Sequence, residues 1–474
     1  MATRTSITLE NLKALGADKL ARLVLDETEG NAAFKRQVTA ALAGLAGPQA
    51  VAKIIDRRLA GLERAKSFVD WDKARAFRDD LKSVVDTIQS ELAGPAPDLA
   101  ADRLLRFIAT HEAVFERVDD SNGYVQDVYY QAIEAVGAVT EQVGAEDAAA
   151  LPERIMAALG ETSHGYLVDV TEAVAPHLPR PVLSDWDAEL TSRIDRNAEE
   201  ERARATDRWH TSMTSQWREM RQIIAGARGD LDLLMRLERE KPAHTRDTAG
   251  IAVRLLDAGR AHEALDWVRE PLLHPGRPGH DRPAPARLLL EARILRALGR
   301  DTEAAGLLGQ GFAETLDAEL LRAHLKALPD FKDIEAEERA LALARAHADP
   351  LTAVGFFMEW SCLDEAAGVV VAHRAVWNGG AWHILPQIAE ALGHDHPVAA
   401  TILYRALLDS ILDGARSKAY PHGVRYLTTL RRLAPAAVTD PSRPADLESH
   451  ADYEAGLRVA HGRKAGFWNR VAAA

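Results

Sequence analysis

Two histidines flank an aspartate at His394-Asp395-His396, the arrangement in this sequence that most resembles a metal site. Two imidazoles and a carboxylate this close can bind a divalent ion if another carboxylate converges on them. Pro397 follows, and proline suits the first position of a helix because its missing N–H is not needed there. The three side chains would then act as helix caps instead. Both interpretations stay open, and we predict no resident metal or cofactor.

Aromatic and basic residues near the end of the chain form the candidate partner-binding site. They are Tyr453, His461, Arg463, Lys464, Phe467 and Trp468. Arginine and tryptophan are enriched at interaction hot spots, and here they stand at the end of an acidic chain. Phe467 and Trp468 can instead cap the last helix pair against solvent, as terminal repeats must. Stacking on a nucleic-acid base is a third alternative.

Familiar catalytic patterns are missing from the sequence. No Gly-x-x-x-x-Gly-Lys-Ser/Thr loop and no Gly-x-Ser-x-Gly elbow occurs. Gly309-Gln310-Gly311 lacks the spaced third glycine of a dinucleotide-binding turn. The pairs His111-Glu112 and His262-Glu263 lack the second histidine one turn later that a zinc-binding helix needs. We therefore predict a protein that is not an enzyme, with an active site of dispersed residues as an alternative.

Two acidic segments have both a structural and a functional interpretation. Asp119–Gly123 offers oxygen ligands to a hard cation, but it lacks the alternation and distal glutamate of a calcium loop. A turn and cap that open a helix around Tyr124–Val136 is the favoured interpretation. The acidic run Asp330–Glu338 suits the positive N-terminal end of a helix, and a docking surface for a basic partner is its alternative.

Composition points to a helical protein that repels long polyanions. The chain has 474 residues, of which 47% are hydrophobic and 27% charged, and its net charge is −13. Unbranched helix formers dominate, so we predict an all-α fold. The acidic balance makes nucleic-acid binding by the whole surface unfavourable. A local basic stretch between Lys53 and Lys82 is interleaved with carboxylates, and we expect a solvated helix surface with i,i+4 pairs there.

Cysteine use and hydropathy indicate the compartment. Cys362 is the only cysteine, so a disulfide within the chain is impossible. No apolar run approaches the ~18 residues that a membrane span requires, and the N-terminus lacks the apolar core of a signal peptide. We expect a cytoplasmic protein with no membrane partner.

Breaks in the helical pattern divide the chain into three parts. We predict an N-terminal helical domain over residues 1–185, charged and then amphipathic connecting helices over 186–240, and a repeat domain with a C-terminal cap over 241–474. Thr8 is expected to cap the first helix. In the connecting part, one apolar stripe contains Trp209, Met213, Trp217, Met220, Ile224 and Ala227, whose spacing places them on one helix face.

The third part contains an internal repeat. Ala-Gly-Arg-Ala-His-Glu-Ala at 258–264 aligns with Leu-Gly-Arg-Asp-Thr-Glu-Ala at 298–304, 40 residues later. Gly259 and Gly299 stand where a helix ends in a left-handed residue, and Arg-x-x-Glu-Ala begins the return helix. Weaker copies lie at Leu363–Ala367 and Ala391–Pro397. A unit of this kind cannot bury its apolar face alone, so stacked helical hairpins are predicted.

The glycine turns resemble tetratricopeptide-type hairpins, although the 40-residue offset is longer than that family's period. The whole chain resembles an uncharacterised bacterial family defined only as a domain of unknown function. The matching segments are Leu15–Leu20, Phe115–Ser121, Leu328–Asp333, Ala336–Leu341, His461–Lys464 and Phe467-Trp468. The resemblance implies a tetratricopeptide-like α-solenoid in the C-terminal half and brings no activity with it.

Together these observations predict a scaffold or adaptor whose stacked hairpins bind a protein or peptide. An accessory subunit of a nucleic-acid or defence complex, acting through the basic stretch and the C-terminal segment, is the alternative partner class. Fold-level analogy is weak evidence for function, so the partner has to be identified from the chemistry of a site.

Overall fold

The computed structural model describes residues 7–160, 165–203, 208–271 and 284–473. Within these ranges the chain forms 26 α-helices and four short 3-10 turns. The one extended pairing among them is a parallel bridge between Val69 and Val118. The prediction of an all-α protein is confirmed. None of the described helices combines the length and apolar character that crossing a bilayer requires.

The chain forms two compact units, Met1–Arg246 and Asp247–Ala474. The three-part division predicted above stays a prediction, and a helix over Arg180–Ala203 continues across its first boundary. The helices of the first unit are α1 (Leu9–Lys13), α2 (Ala17–Gly30), α3 (Ala32–Gly44), α4 (Pro48–Arg64), α5 (Trp71–Glu91), α6 (Pro97–Ala109), α7 (His111–Phe115), α8 (Tyr124–Thr140), α9 (Ala145–Leu159), α10 (Tyr166–Val174), α11 (Arg180–Ala203), α12 (Arg208–Arg228) and α13 (Leu231–Glu240).

Helix α8 lies at the centre of the first unit, where it packs against α5, α6 and α10. Its buried positions recur every three or four residues and nearly surround the helix, as is typical of a core helix. The Tyr129 ring stacks between Phe107 and Tyr166, with centroids 4.9 and 5.9 Å away. The α8 backbone starts where predicted, because the Asp120 carboxylate accepts hydrogen bonds from the N–H groups of Val125 and Gln126, both at 2.9 Å.

Local signals at two other helices are also confirmed. The Thr8 hydroxyl accepts a hydrogen bond from the Asn11 N–H at 3.2 Å and caps α1. On α12, the predicted stripe buries Met213, Met220 and Ile224 and half-buries Trp217, but Ala227 near the end of the helix is exposed. Helix α12 packs against α10, α11 and α13. The side chain of Trp209 lies outside the described residues.

The second unit is a succession of helical hairpins. Its helices are α14 (Thr248–Asp257), α15 (Ala261–Val268), α16 (Pro285–Ala297), α17 (Asp301–Thr315), α18 (Ala318–Ala327), α19 (Lys332–Arg345), α20 (Pro350–Glu359), α21 (Leu363–Ala372), α22 (Leu385–Leu392), α23 (Pro397–Asp413), α24 (Tyr420–Thr439), α25 (His450–His461) and α26 (Ala465–Ala473). Consecutive helices pack against each other from α14 to α21 and again from α22 to α24, while α21 packs against α23. Helix α16 also contacts α14 and α18.

The turns between these helices repeat one geometry. Gly259 and Gly299 have φ of 77° and 73°, so the predicted left-handed glycines are confirmed. In both turns the following arginine closes the helix with a backbone bond: Arg260 N–H to Leu255 O at 2.8 Å, and Arg300 N–H to Leu295 O at 2.9 Å. Each arginine then binds the glutamate three residues later, Glu263 or Glu303.

The weaker copy at Leu363–Ala367 uses the same backbone turn without glycine. The copy at Ala391–Pro397 does not, because Gly393 has φ of −60°. Ser361, with φ of 60°, precedes Cys362, whose N–H donates to Phe357 O at 2.9 Å before α21 begins. Ala415, with φ of 48°, plays the same part after α23. An L-residue adopts this conformation only at some cost, which packing of the flanking helices offsets. The turn geometry therefore extends beyond the positions that a glycine pattern marks.

Candidate functional site

A groove in the second unit gathers basic side chains, four of which have no ion-pair partner among the described carboxylates. It lies among α22, α23, α24 and the 3-10 turns Gly379–Ala381 and Ser417–Ala419. One end is a cavity of about 660 Å³ and the other a cavity of about 560 Å³, and Pro386, Arg425 and Tyr426 line both. The basic and histidine side chains that line it are His383, His394, Arg416, Lys418, His422, Arg425 and Arg432. We call this surface the basic groove.

The cations of the basic groove differ from other arginines of the same unit in their ion pairing. Arg345 and Arg431 each bind a glutamate across helices, at 2.6 and 2.7 Å. By contrast, no described carboxylate lies within ion-pair distance of four groove cations, which are Arg416, Lys418, Arg425 and Arg432. Glu390 is the one carboxylate among the described residues that line the groove. The positive charge of the groove is therefore left for a ligand to neutralise.

Close packing of the loop before α22 fixes one wall of the groove. Gly379 lies directly on α23, since a Cβ there would come within 2.3 Å of the Ser410 Cβ. The Asn378 side chain accepts a hydrogen bond from the Gly380 N–H at 2.9 Å, and Trp377 Nε1–H donates to Val370 O at 2.9 Å. This anchored loop presents Trp382, which is 66% exposed, at the groove.

The opposite wall comes from α24. His422 and Arg425 are one helical turn apart, and the Arg425 guanidinium donates to His422 Nδ1 at 2.7 Å. Tyr426 packs against Tyr404 with ring centroids 5.6 Å apart. Burial raises the pKa of the Tyr426 hydroxyl, and the positive charge of Arg425 opposes that rise. The tyrosines therefore stay neutral and supply an apolar floor with a polar edge.

The predicted metal ligands are not brought together. His394 and Asp395 are exposed and bind each other, Nδ1 to Oδ1, at 2.6 Å. His396 is directed elsewhere, with its Nε2 3.5 Å from Asp364 Oδ1 at the start of α21. Among the residues that the structure describes, no group of three or more histidine, cysteine or acidic side chains could hold a metal ion. Of the three, only His394 lines the groove.

The predicted partner-binding residues of the C-terminal segment lie mostly within packing contacts. Tyr453 is buried on α25, where its hydroxyl donates to Asp409 Oδ1 at 2.7 Å and its ring lies 4.4 Å from the Arg405 guanidinium. Burial raises the pKa of both this hydroxyl and the Asp409 carboxyl. His461 Nε2 lies 3.3 Å from Asp413 Oδ1. These contacts attach α25 to α23.

The last helix is attached in the same way. Phe467 is fully buried and meets the ring of Tyr420 edge-on, with centroids 5.7 Å apart. Trp468 donates from Nε1 to His461 O at 3.0 Å and lies under the Arg458 guanidinium at 4.4 Å. Arg463 is exposed and Lys464 is half-buried. The aromatic residues of this segment thus contact α24 and α25, as the capping alternative expects.

Sequence reasoning missed the main groove residues. Trp382, Arg416 and Arg425 belong to segments that turns separate, and no local motif joins them. The sequence did contain one usable signal. Lys418, His422 and Arg425 are four and three residues apart, which is the spacing of side chains on one face of a helix. No acidic residue lies three or four positions from them on that face, so the spacing indicates a basic surface without ion-pair partners.

The comparisons with known proteins confirm one part of the resemblance given above, which is membership of a family of unknown function. A family of unknown function, DUF6880, matches residues 2–470, and the chain belongs to this family. No curated protein and no solved structure matches the chain.

Proposed function

We propose that the protein is a non-enzymatic adaptor that binds an acidic, extended segment of a partner protein in the basic groove. One observation carries the proposal: Arg416, Lys418, Arg425 and Arg432 line a single groove without a paired carboxylate. A segment with several aspartates or glutamates supplies the missing charge. The exposed Trp382 ring adds apolar area for a side chain that neighbours the acidic ones.

An acidic peptide fits this groove better than a nucleic acid does. The net charge of −13 repels a long polyanion from the surface around the groove. A short acidic segment enters the groove alone, so it meets the local cations without approaching the rest of the surface. Carboxylates also accept paired hydrogen bonds from the planar guanidinium groups of arginine.

The architecture supports an adaptor role in a second way. The turns at Gly259, Gly299, Ser361 and Ala415 share one geometry, and consecutive helices pack from α14 to α21 and from α22 to α24. Both features favour a tetratricopeptide-like α-solenoid. Such an array offers extended surfaces formed by several helices, and the groove spans three of them. We place the adaptor in the cytoplasm, where the one free cysteine, Cys362, stays reduced.

Fluorescence anisotropy of the purified full chain tests the proposal. The probe is a fluorescein-labelled decapeptide of glutamate, aspartate and leucine, and the comparison probe has lysine at every acidic position. We expect the acidic peptide to bind and the basic peptide not to bind. Raising NaCl from about 50 mM to about 500 mM should weaken binding strongly, because exposed charges are screened at that ionic strength.

A pair of charge-matched variants locates the binding. Arg416→Ala with Arg425→Ala removes two groove cations, and we expect affinity to fall about tenfold to a hundredfold as charge-assisted hydrogen bonds are lost. Arg293→Ala with Lys326→Ala removes two exposed cations elsewhere in the same unit and should leave affinity unchanged. Equal losses in the two variants, or tighter binding of a single-stranded oligonucleotide than of the acidic peptide, would reject the proposal.

A further inference from the structure

One carboxylate in the first unit is shared by arginines from two helices. Arg36 on α3 contacts one oxygen of Asp80, and Arg58 on α4 contacts the other. Asp80 itself is on α5, and its side chain is only 16% exposed. The two guanidinium groups therefore share one carboxylate as their ion-pair partner, and that carboxylate is mostly buried.

A third guanidinium, from a distant part of the chain, packs on α5 within one helical turn of Asp80. Arg117 is 7% exposed, and its backbone is fixed by a hydrogen bond from Val69 N–H to Arg117 O at 2.8 Å. The side chain lies over the Phe77 ring, 4.9 Å from its centroid. Its one hydrogen bond, from Nη1 to Ser67 O, is long at 3.4 Å. Arg117 is thus a buried cation without a carboxylate partner among the residues that the structure describes.

Charge balance shows that the three arginines influence one another. Burial lowers the pKa of Arg58, and the positive charges of Arg36 and Arg117 lower it further. Three cations and one carboxylate leave an excess of two positive charges. The Nε–H groups of all three arginines are also buried without a hydrogen-bond partner. Water reaches Arg36 and Arg58, whose side chains are 42% and 34% exposed, whereas Arg117 is buried. An unmatched buried charge is costly, and an anion would offset that cost.

We infer that Arg36, Arg58 and Arg117, which we call the arginine cluster, bind a doubly charged tetrahedral oxyanion of the phosphate class. A phosphate dianion matches the excess of two charges, whereas one carboxylate would neutralise half of it. Planar guanidinium groups bind phosphate oxygens in pairs. The anion is either free phosphate or a phosphoryl group on a larger molecule. Phe68, which is 61% exposed and follows Ser67, offers the larger molecule an aromatic face.

The test is calorimetric titration of the full chain with sodium phosphate, and separately with phenyl phosphate, against sodium chloride of equal ionic strength. We expect saturable binding of phosphate and none of chloride. Tighter binding of phenyl phosphate than of phosphate identifies a phosphoryl group on an aromatic carrier, and equal binding identifies the free anion. Absence of saturable heat with both phosphates would overturn the inference.

Neighbouring arginines on α4 provide the matched control. Arg58→Gln removes a cluster cation, and we expect phosphate to bind about tenfold more weakly or worse, as one charge-assisted pair is lost. Arg57→Gln, at an exposed position of the same helix, should bind phosphate like the unaltered chain. Where Arg58→Gln fails to fold, Arg36→Gln serves in its place because Arg36 is more exposed. Unchanged affinity in the cluster variant, or an equal loss in Arg57→Gln, would contradict the inference. The groove variant Arg416→Ala with Arg425→Ala should retain phosphate binding, which separates this site from the basic groove.

Discussion

Removal of the Phe467 side chain tests whether α26 is a structural cap of the second unit. Phe467 is fully buried between Tyr420 and Trp468, with ring centroids 5.7 and 5.1 Å away. Gly423 on α24 makes room for it, because a Cβ at that glycine would lie 3.2 Å from Phe467 Cε2. Phe467→Ala therefore leaves a cavity that the neighbouring backbone cannot easily fill.

The expected loss follows from that burial. Truncation of a buried phenylalanine costs about 3–5 kcal/mol, and the two edge-on aromatic pairs are part of that amount. Helix α26 can detach from α24 without unfolding of the rest of the unit. The stability lost in Phe467→Ala therefore cannot exceed the free energy of packing α26 on α24. We therefore expect a loss of about 3 kcal/mol in local stability, near the lower end of that range.

Native-state hydrogen exchange of α24 and α26 measures this loss directly, which matters because the chain has two compact units and need not unfold in one step. Exchange should speed up about a hundredfold in both helices, as ~3 kcal/mol implies. Arg463→Ala, at an exposed position beside α26, is the control and should leave exchange unchanged. A loss below about 1 kcal/mol for Phe467→Ala would refute the capping argument and restore the segment as a free partner-binding surface.

Further outcomes are expected at other positions. Gly137→Ala should destabilise the first unit by about 1–3 kcal/mol, since its Cβ would lie 2.8 Å from Ala173 O where α8 meets α10. At Gly306 an added Cβ would have no atom within 4 Å, so Gly306→Ala should be neutral or stabilise α17 by up to ~1 kcal/mol. Thermal unfolding followed by circular dichroism compares the stability of the two glycine variants. Hydrogen bonding to Arg431 lowers the pKa of Glu454 below its ordinary 4.5, so its contribution is present above pH 4.5 and lost as pH falls through the lowered value. Urea unfolding at a series of pH values should show that Glu454→Gln removes this dependence, and an unchanged pH profile would contradict it.

The local features of the fold were readable from the sequence. The turns at Gly259 and Gly299, the start of α23 at Pro397 and the Asp120 cap of α8 depend on residues a few positions apart. Backbone conformation and capping act over that range, so residue type and spacing were enough. The same reasoning missed the turn at Ala415 and found the turn at Ser361 only as the start of a weak copy. Neither position has a glycine, and packing of whole helices holds these residues in the left-handed region.

Ion pairs in the basic stretch show where local reasoning failed. We expected i,i+4 pairs between Lys53 and Lys82, yet several carboxylates there bind arginines of other helices. Asp56 contacts Arg103 and Arg106, both at 3.1 Å, and Asp80 contacts Arg36. Lys82 does pair with Asp86 four residues later, at 2.6 Å. Which partner a charge takes depends on which helices become neighbours, and the spacing of charges along one helix does not determine that.

Composition and periodicity alone determined that this chain is helical and acidic, and they located the glycine turns at Gly259 and Gly299. Only the tertiary structure decided that Arg416, Arg425 and Trp382 share one groove. It also decided that Arg36 and Arg58 share Asp80 and that Phe467 is buried. The physical reason is the range of the interactions. Helix formation and turns are local, whereas charge balance and burial depend on every element packed around a residue, however distant it is along the chain.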